Sequence, residues 1–164
     1  SASNPSDIYP LFFGYLGRLE LSVYFNDTQL SADLTQGYET VRKVDVGSCA
    51  KSLSFFFLCL ASANVYLDTK KRKWRRWAKN FHKTLKGLCT TKGTTSWHRC
   101  MIMEAHLGAV SGRKDYKTIQ LAYDEAIGTA TRNGYIQDAG LCAQLAAQFF
   151  LNMVEAGDVP KGNG

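Results

Sequence analysis

Along most of this 164-residue chain, apolar side chains recur at spacings of three and four, the period of an amphipathic helix. The plainest case is Tyr116 to Arg132, where Tyr116, Ile119, Tyr123, Ala126, Ile127 and Ala130 mark one face. Trp74, Trp77, Ala78, Phe81, Leu85 and Leu88 make a second stripe and predict a helix over residues 69–90. Leu30, Leu34, Tyr38 and Val41 predict another over 28–44, and Leu141, Leu145, Ala146, Phe149, Phe150 and Met153 one over 136–156. Residues 8–24 and 97–111 follow the same period. The stretch from Ser48 to Leu67 differs. Its FFFLCLASANVYL run is apolar nearly all round, which predicts a central helix with neighbours on most sides. Its apolar core, Leu53 to Leu67, reads as too short to span a bilayer and is interrupted by Ser54, Ser62 and Asn64.

Breakers fall between these stretches. Asn26-Asp27-Thr28, Asp45-Val46-Gly47-Ser48 and the loop 91–96 carry turn and N-cap residues, with Ser48 and Thr95 or Ser96 as expected caps. Gly112, Asn133-Gly134 and Gly157 are C-terminal stops. The prolines are Pro5, Pro10 and Pro160, all near the ends, so nothing of that kind interrupts the middle. The fold class is therefore all-α, with about seven antiparallel helices in a single domain over 1–158 and a polar tail over 159–164. Helix starts near 8, 47, 97 and 135 give a quasi-period of roughly 40–50 residues, the signature of stacked helix pairs that share a core.

The unit from Trp97 to Phe150 resembles a tetratricopeptide repeat: Tyr123, Ala126 and Ile127 match the aromatic, small and apolar positions of its second helix, and Ala105 and Gly112 the small residue and loop glycine of the first. Ile119 stands where the motif prefers Ala, and Asn133-Gly134 replaces the usual proline. Residues 97–158 also resemble the tetratricopeptide-like tail of large multidomain signalling proteins. They do so through His98-Arg99, Met103-Glu104-Ala105, Tyr123-Asp124-Glu125-Ala126-Ile127, Asn133-Gly134-Tyr135 and the run Leu145 to Phe150. The resemblance implies a right-handed superhelix that binds or scaffolds protein partners or neighbouring domains. By its register, Arg99, Ile102, His106 and Ala109 would face the binding groove. It also implies a further helix pair after Gly157, so Phe149 and Phe150 would be left for self-association, making a homo-oligomer. No kinase or phosphate-binding motif accompanies it, since Lys92-Gly93-Thr94 is not a P-loop.

Charge changes this picture at one place. Nine of the 20 Lys and Arg lie between Lys70 and Lys86 (Lys70, Lys71, Arg72, Lys73, Arg75, Arg76, Lys79, Lys83 and Lys86), and no acidic residue occurs from Thr69 to Met103. The net charge of +6 therefore comes from this helix. Such a face can be merely solvated, can dock an acidic protein segment, or can bind nucleic acid or an anionic membrane. Both tryptophans fall on the apolar stripe, which marks them as core rather than stacking platforms.

Candidate chemistry is sparse. The five cysteines are widely spaced with no CxxC and read as buried reduced thiols, and the polar start SASNPSD has no basic leader, so a cytoplasmic location is expected. His98 and Cys100 are two apart, which points them to different helix faces and argues against a metal site. A Cys-His dyad using Cys89 or Cys100 would lack an oxyanion hole and an orienting third group, and none of His82, His98 and His106 has a phosphoacceptor context. The reading is thus a non-catalytic interaction or scaffolding module without metal or cofactor. The alternative is a basic helical domain that binds nucleic acid or membrane through the helix Lys70 to Lys86.

Overall fold

In a computed structural model describing residues 5–90, 96–112 and 115–157, the chain forms seven helices and, among the described residues, no strand. They are α1 (Pro5–Tyr24), α2 (Thr28–Val41), α3 (Ser48–Thr69), α4 (Arg72–Thr90), α5 (Trp97–Ser111), α6 (Tyr116–Arg132) and α7 (Ile136–Glu155). The sequence reading draws one domain over 1–158, whereas the internal contacts group the chain into two compact units, Ser1–Ser96 and Trp97–Gly164. The expected tail over 159–164 and the Thr95 cap lie outside the described residues.

In the first unit α3 packs against α1, α2 and α4. Every residue from Phe56 to Ala63 is at most 1% exposed, so α3 is buried on all faces over two turns. Each buried Phe or Leu there contributes about 1.5–3 kcal/mol relative to an exposed one. Its serines stay satisfied because each hydroxyl donates back along the helix, Ser54 to the Lys51 carbonyl and Ser62 to that of Leu58. With 22 residues, α3 is long and apolar enough by length and composition to cross a membrane, which corrects the expectation that it is too short; most of its apolar window is buried inside the unit. From α1, Phe12, Leu16, Leu19 and Val23 enter the core. At the contact of α1 with α2, the buried Ser22 and Ser31 hydroxyls share a 2.9 Å hydrogen bond.

Several boundaries differ from expectation. Pro10 lies inside α1 rather than in its first turn, because the helix already begins at Pro5. Gly47 rather than Ser48 caps α3, with no side-chain hydrogen bond. Between α3 and α4 the break is Lys70, which adopts φ 55° and donates its N–H to the Tyr66 carbonyl. A left-handed lysine carries no compositional mark, and the predicted start at residue 69 runs past it. Asp27 does cap α2, its carboxylate accepting the Leu30 N–H at 2.9 Å, and Asp115 caps α6 through the Thr118 N–H.

In the second unit α5, α6 and α7 each touch the other two. Cys100, Ile102, Met103, Ile119, Tyr123, Ala126, Leu141 and Cys142 form its core. Gly134 turns at φ 80°, as its Asn-Gly pair predicts, while the Tyr135 N–H closes on the Ala130 carbonyl at 2.9 Å.

Candidate functional site

Polar chemistry collects at three places, two inside the second unit and one on the surface of the first. At the start of α5, His98 Nε2 lies 2.6 Å from Asp138 Oδ2, and Arg99 Nε donates to the same oxygen at 3.0 Å. His98 is 1% exposed and its ring stacks on Tyr135 at 4.0 Å between centroids. Burial alone would raise the Asp138 carboxyl, but hydrogen bonds and charge from His98 and Arg99 outweigh it and hold the pKa below the ordinary carboxylate value. The buried contact of His98 with Asp138 thus pins α5 to α7.

Further along α5, His106 Nδ1 is 3.0 Å from the Tyr123 hydroxyl, while its Nε2 is buried with no hydrogen-bond partner among the described residues. Burial pushes the imidazole down to about 4, so the ring is neutral at physiological pH. The register expected from the repeat resemblance does not bring a groove to the surface here. Ile102 is 0%, His106 4% and Ala109 5% exposed, and Arg99 is turned onto Asp138. These side chains belong to the core because α5 offers Cys100, Ile102, Met103, Ala105, His106 and Ala109 to its surroundings over most of its circumference.

Phe149 and Phe150, expected to be left uncovered, are half-buried. Phe150 packs edge-on against Tyr116 at 5.1 Å and lies 6.4 Å from Tyr123. The more exposed apolar side chains of α7 are Ile136, Leu151 and Val154.

The surface feature is α4. Its stripe divides into Trp74, Ala78, Leu85 and Cys89, which are buried, and Trp77, Phe81 and Leu88, which are only half-buried. Around the rest, Lys70, Lys71, Arg72, Lys73, Arg76, Lys79 and Lys83 are exposed, and Arg75 is half-buried with its guanidinium 6.0 Å from the Tyr66 ring. None of these eight forms an ion pair with a carboxylate among the described residues. The structure thus gathers the whole predicted basic set on and next to one helix, with Lys73 Nζ lying 4.8 Å over the Trp74 ring.

Beside this face, α2 and α4 border a recess of about 240 Å³, lined by Thr35, Gln36, Tyr38 and Glu39 from one helix and Trp77, Asn80 and Phe81 from the other. Its rings stand nearly perpendicular to one another: Tyr38 to Phe81 at 5.7 Å and 88°, Trp77 to Phe81 at 6.2 Å and 81°. Tyr38, Trp77 and Phe81 all look like core positions in the sequence, and Gln36, Glu39 and Asn80 carry no signal at all. Only the spacing between two helices reveals that they share an opening.

Among the described residues no three His, Cys, Asp or Glu side chains cluster as a metal site. Cys59, Cys89, Cys100 and Cys142 are buried and Cys49 is exposed, and none is disulfide-bonded among the described residues. Burial drives the Cys142 thiol up to about 12, which leaves it protonated and unreactive. No protein-family profile, curated protein or solved structure matches this chain.

Proposed function

We propose that this chain is a non-catalytic protein-interaction module of a cytoplasmic signalling or scaffolding protein, docking an acidic protein segment on the cationic face of α4. One observation carries the reading: eight Lys and Arg side chains within Lys70 to Lys83 lack any carboxylate partner among the described residues. Charges left without internal partners contribute little to stability and much to the capture and orientation of an oppositely charged partner. Arrangement of the helices as a tetratricopeptide-like superhelix is part of the same proposal. It is supported by α7 touching both α5 and α6, as the first helix of a following repeat would.

One feature favours a protein partner over a membrane surface. The apolar stripe of α4 is turned toward the core and the recess, leaving no outward apolar face to enter a bilayer. The test is a binding series at rising salt with a labelled polyglutamate peptide, duplex DNA and phosphatidylserine vesicles. The expected result is salt-sensitive peptide binding that is lost in the R76E/K83E variant. Binding of DNA or vesicles in preference to the peptide would overturn the reading.

A further inference from the structure

We infer that the recess between α2 and α4 receives an apolar anchor side chain of the acidic segment that docks on α4. The inference rests on the docking reading above and adds the residue that makes the contact selective. Its first ground is proximity. Asn80 lines the recess and stands one helical turn from both Arg76 and Lys83, and Trp77 one turn from Lys73, so three exposed cations flank the α4 side of the opening. Carboxylates on either side of an anchor residue would meet them.

The second ground is size and chemistry. A cavity of roughly 150 Å³ holds a benzene-sized group, and this one measures about 240 Å³. Its walls are mainly the half-buried rings of Tyr38, Trp77 and Phe81, with Gln36 and Asn80 at the polar edge. Apolar recesses with a few polar groups at the rim are the usual seats of anchor residues.

The third ground is the orientation of the rings. Each presents its edge to the face of its neighbour, at 73° for Trp74 and Trp77, 81° for Trp77 and Phe81 and 88° for Tyr38 and Phe81. Faces engaged in this way do not form the flat platform that a nucleobase requires. Nor does the site suit a cation: Glu39 is already paired with Arg42, and Lys73, Arg76 and Lys83 stand close by. An aliphatic or aromatic side chain flanked by carboxylates is the occupant that meets all three conditions.

The test uses the full chain and two labelled glutamate-rich peptides that differ only at a central position, Leu in one and Ala in the other, with binding followed by anisotropy. The Leu peptide is expected to bind about tenfold more tightly, as burial of one such side chain predicts. Gln36→Trp, which fills the recess from an exposed position, is expected to erase that advantage, read as the ratio of the two peptides' affinities falling to about one. Asn80→Trp repeats the test from the opposite wall should the first variant fail to fold. Equal binding of the two peptides, still lost in R76E/K83E, would overturn the anchor site and leave the docking face standing. So would a Leu advantage that survives both fillings. Failure of both peptides to bind would overturn the docking reading and the anchor site together.

Discussion

Arg76 and Arg99 show how differently the two units use the same kind of side chain. Arg76 stands exposed on α4 among cations that form no ion pair with a described carboxylate, whereas Arg99 is folded onto Asp138 with its side chain 11% exposed. Among the described residues of Ser1–Ser96 the buried polar groups are small hydroxyls, bonded back along their own helix or, as in Ser22–Ser31 and Ser52–Ser96, to one another, while charge is kept outside. In Trp97–Gly164 a His-Asp-Arg cluster and a His-Tyr pair lie inside. Buried ionic and polar groups are poor sources of stability but penalise any packing that leaves them unpaired. The second unit thus uses buried polar residues to hold one arrangement of three helices, whereas the first keeps its charged side chains at the surface, where we propose that they meet a partner.

The strongest way to break this contrast is Asp138→Ala. It strands buried His98 and the Arg99 guanidinium, and a loss of about 3–5 kcal/mol is expected, read as a fall in urea midpoint. A loss under about 1 kcal/mol would mean that the cluster is solvated and the two units are alike in this respect.

Acid should act next. His106 titrates at about 4 when folded and near 6.5 when unfolded. Between those values the unfolded chain binds a proton that the folded chain excludes. Stability is thus lost as pH falls through that window, by about 3 kcal/mol. Denaturation followed from about pH 7 to pH 4 tests this, and His106→Gln should flatten the curve. Because the Asp138 carboxyl is depressed, its own contribution is retained across most of that window and goes at lower pH.

Smallest should be the effect of R76E/K83E on folding. Exposed substitutions of this kind usually change stability by no more than about 0.5 kcal/mol, so the thermal midpoint should barely move while acidic-peptide binding is lost. A marked drop in midpoint would place those cations in the structural framework and bring the first unit closer to the second.

Much of the framework was legible from local pattern. Six of the seven helices lie close to where three-and-four spacing put them and α3 where its apolar run did, and Asp27 and Gly134 act as their residue types predict. The concentration of cations on α4 was equally plain, because charges along one helix stay together whatever surrounds them. Less legible was the α3–α4 break, which rests on a lysine in a conformation usually reserved for glycine. Also illegible was the burial of Ile102, His106 and Ala109, which follows from α5 being covered over most of its circumference.

What the chain determined by itself is therefore the set of helices, some of their caps and the face that carries charge, since each depends on residues within a turn or two of one another. The tertiary structure alone decided which stripe positions close and which stay open. It brought His98 within 2.6 Å of Asp138, 40 residues away in sequence, and set Tyr38 opposite Phe81 around an opening rather than in a sealed core. Periodicity reports which side chains share a face. How nearly that face is covered depends on the approach of helices distant in sequence, which no local spacing encodes.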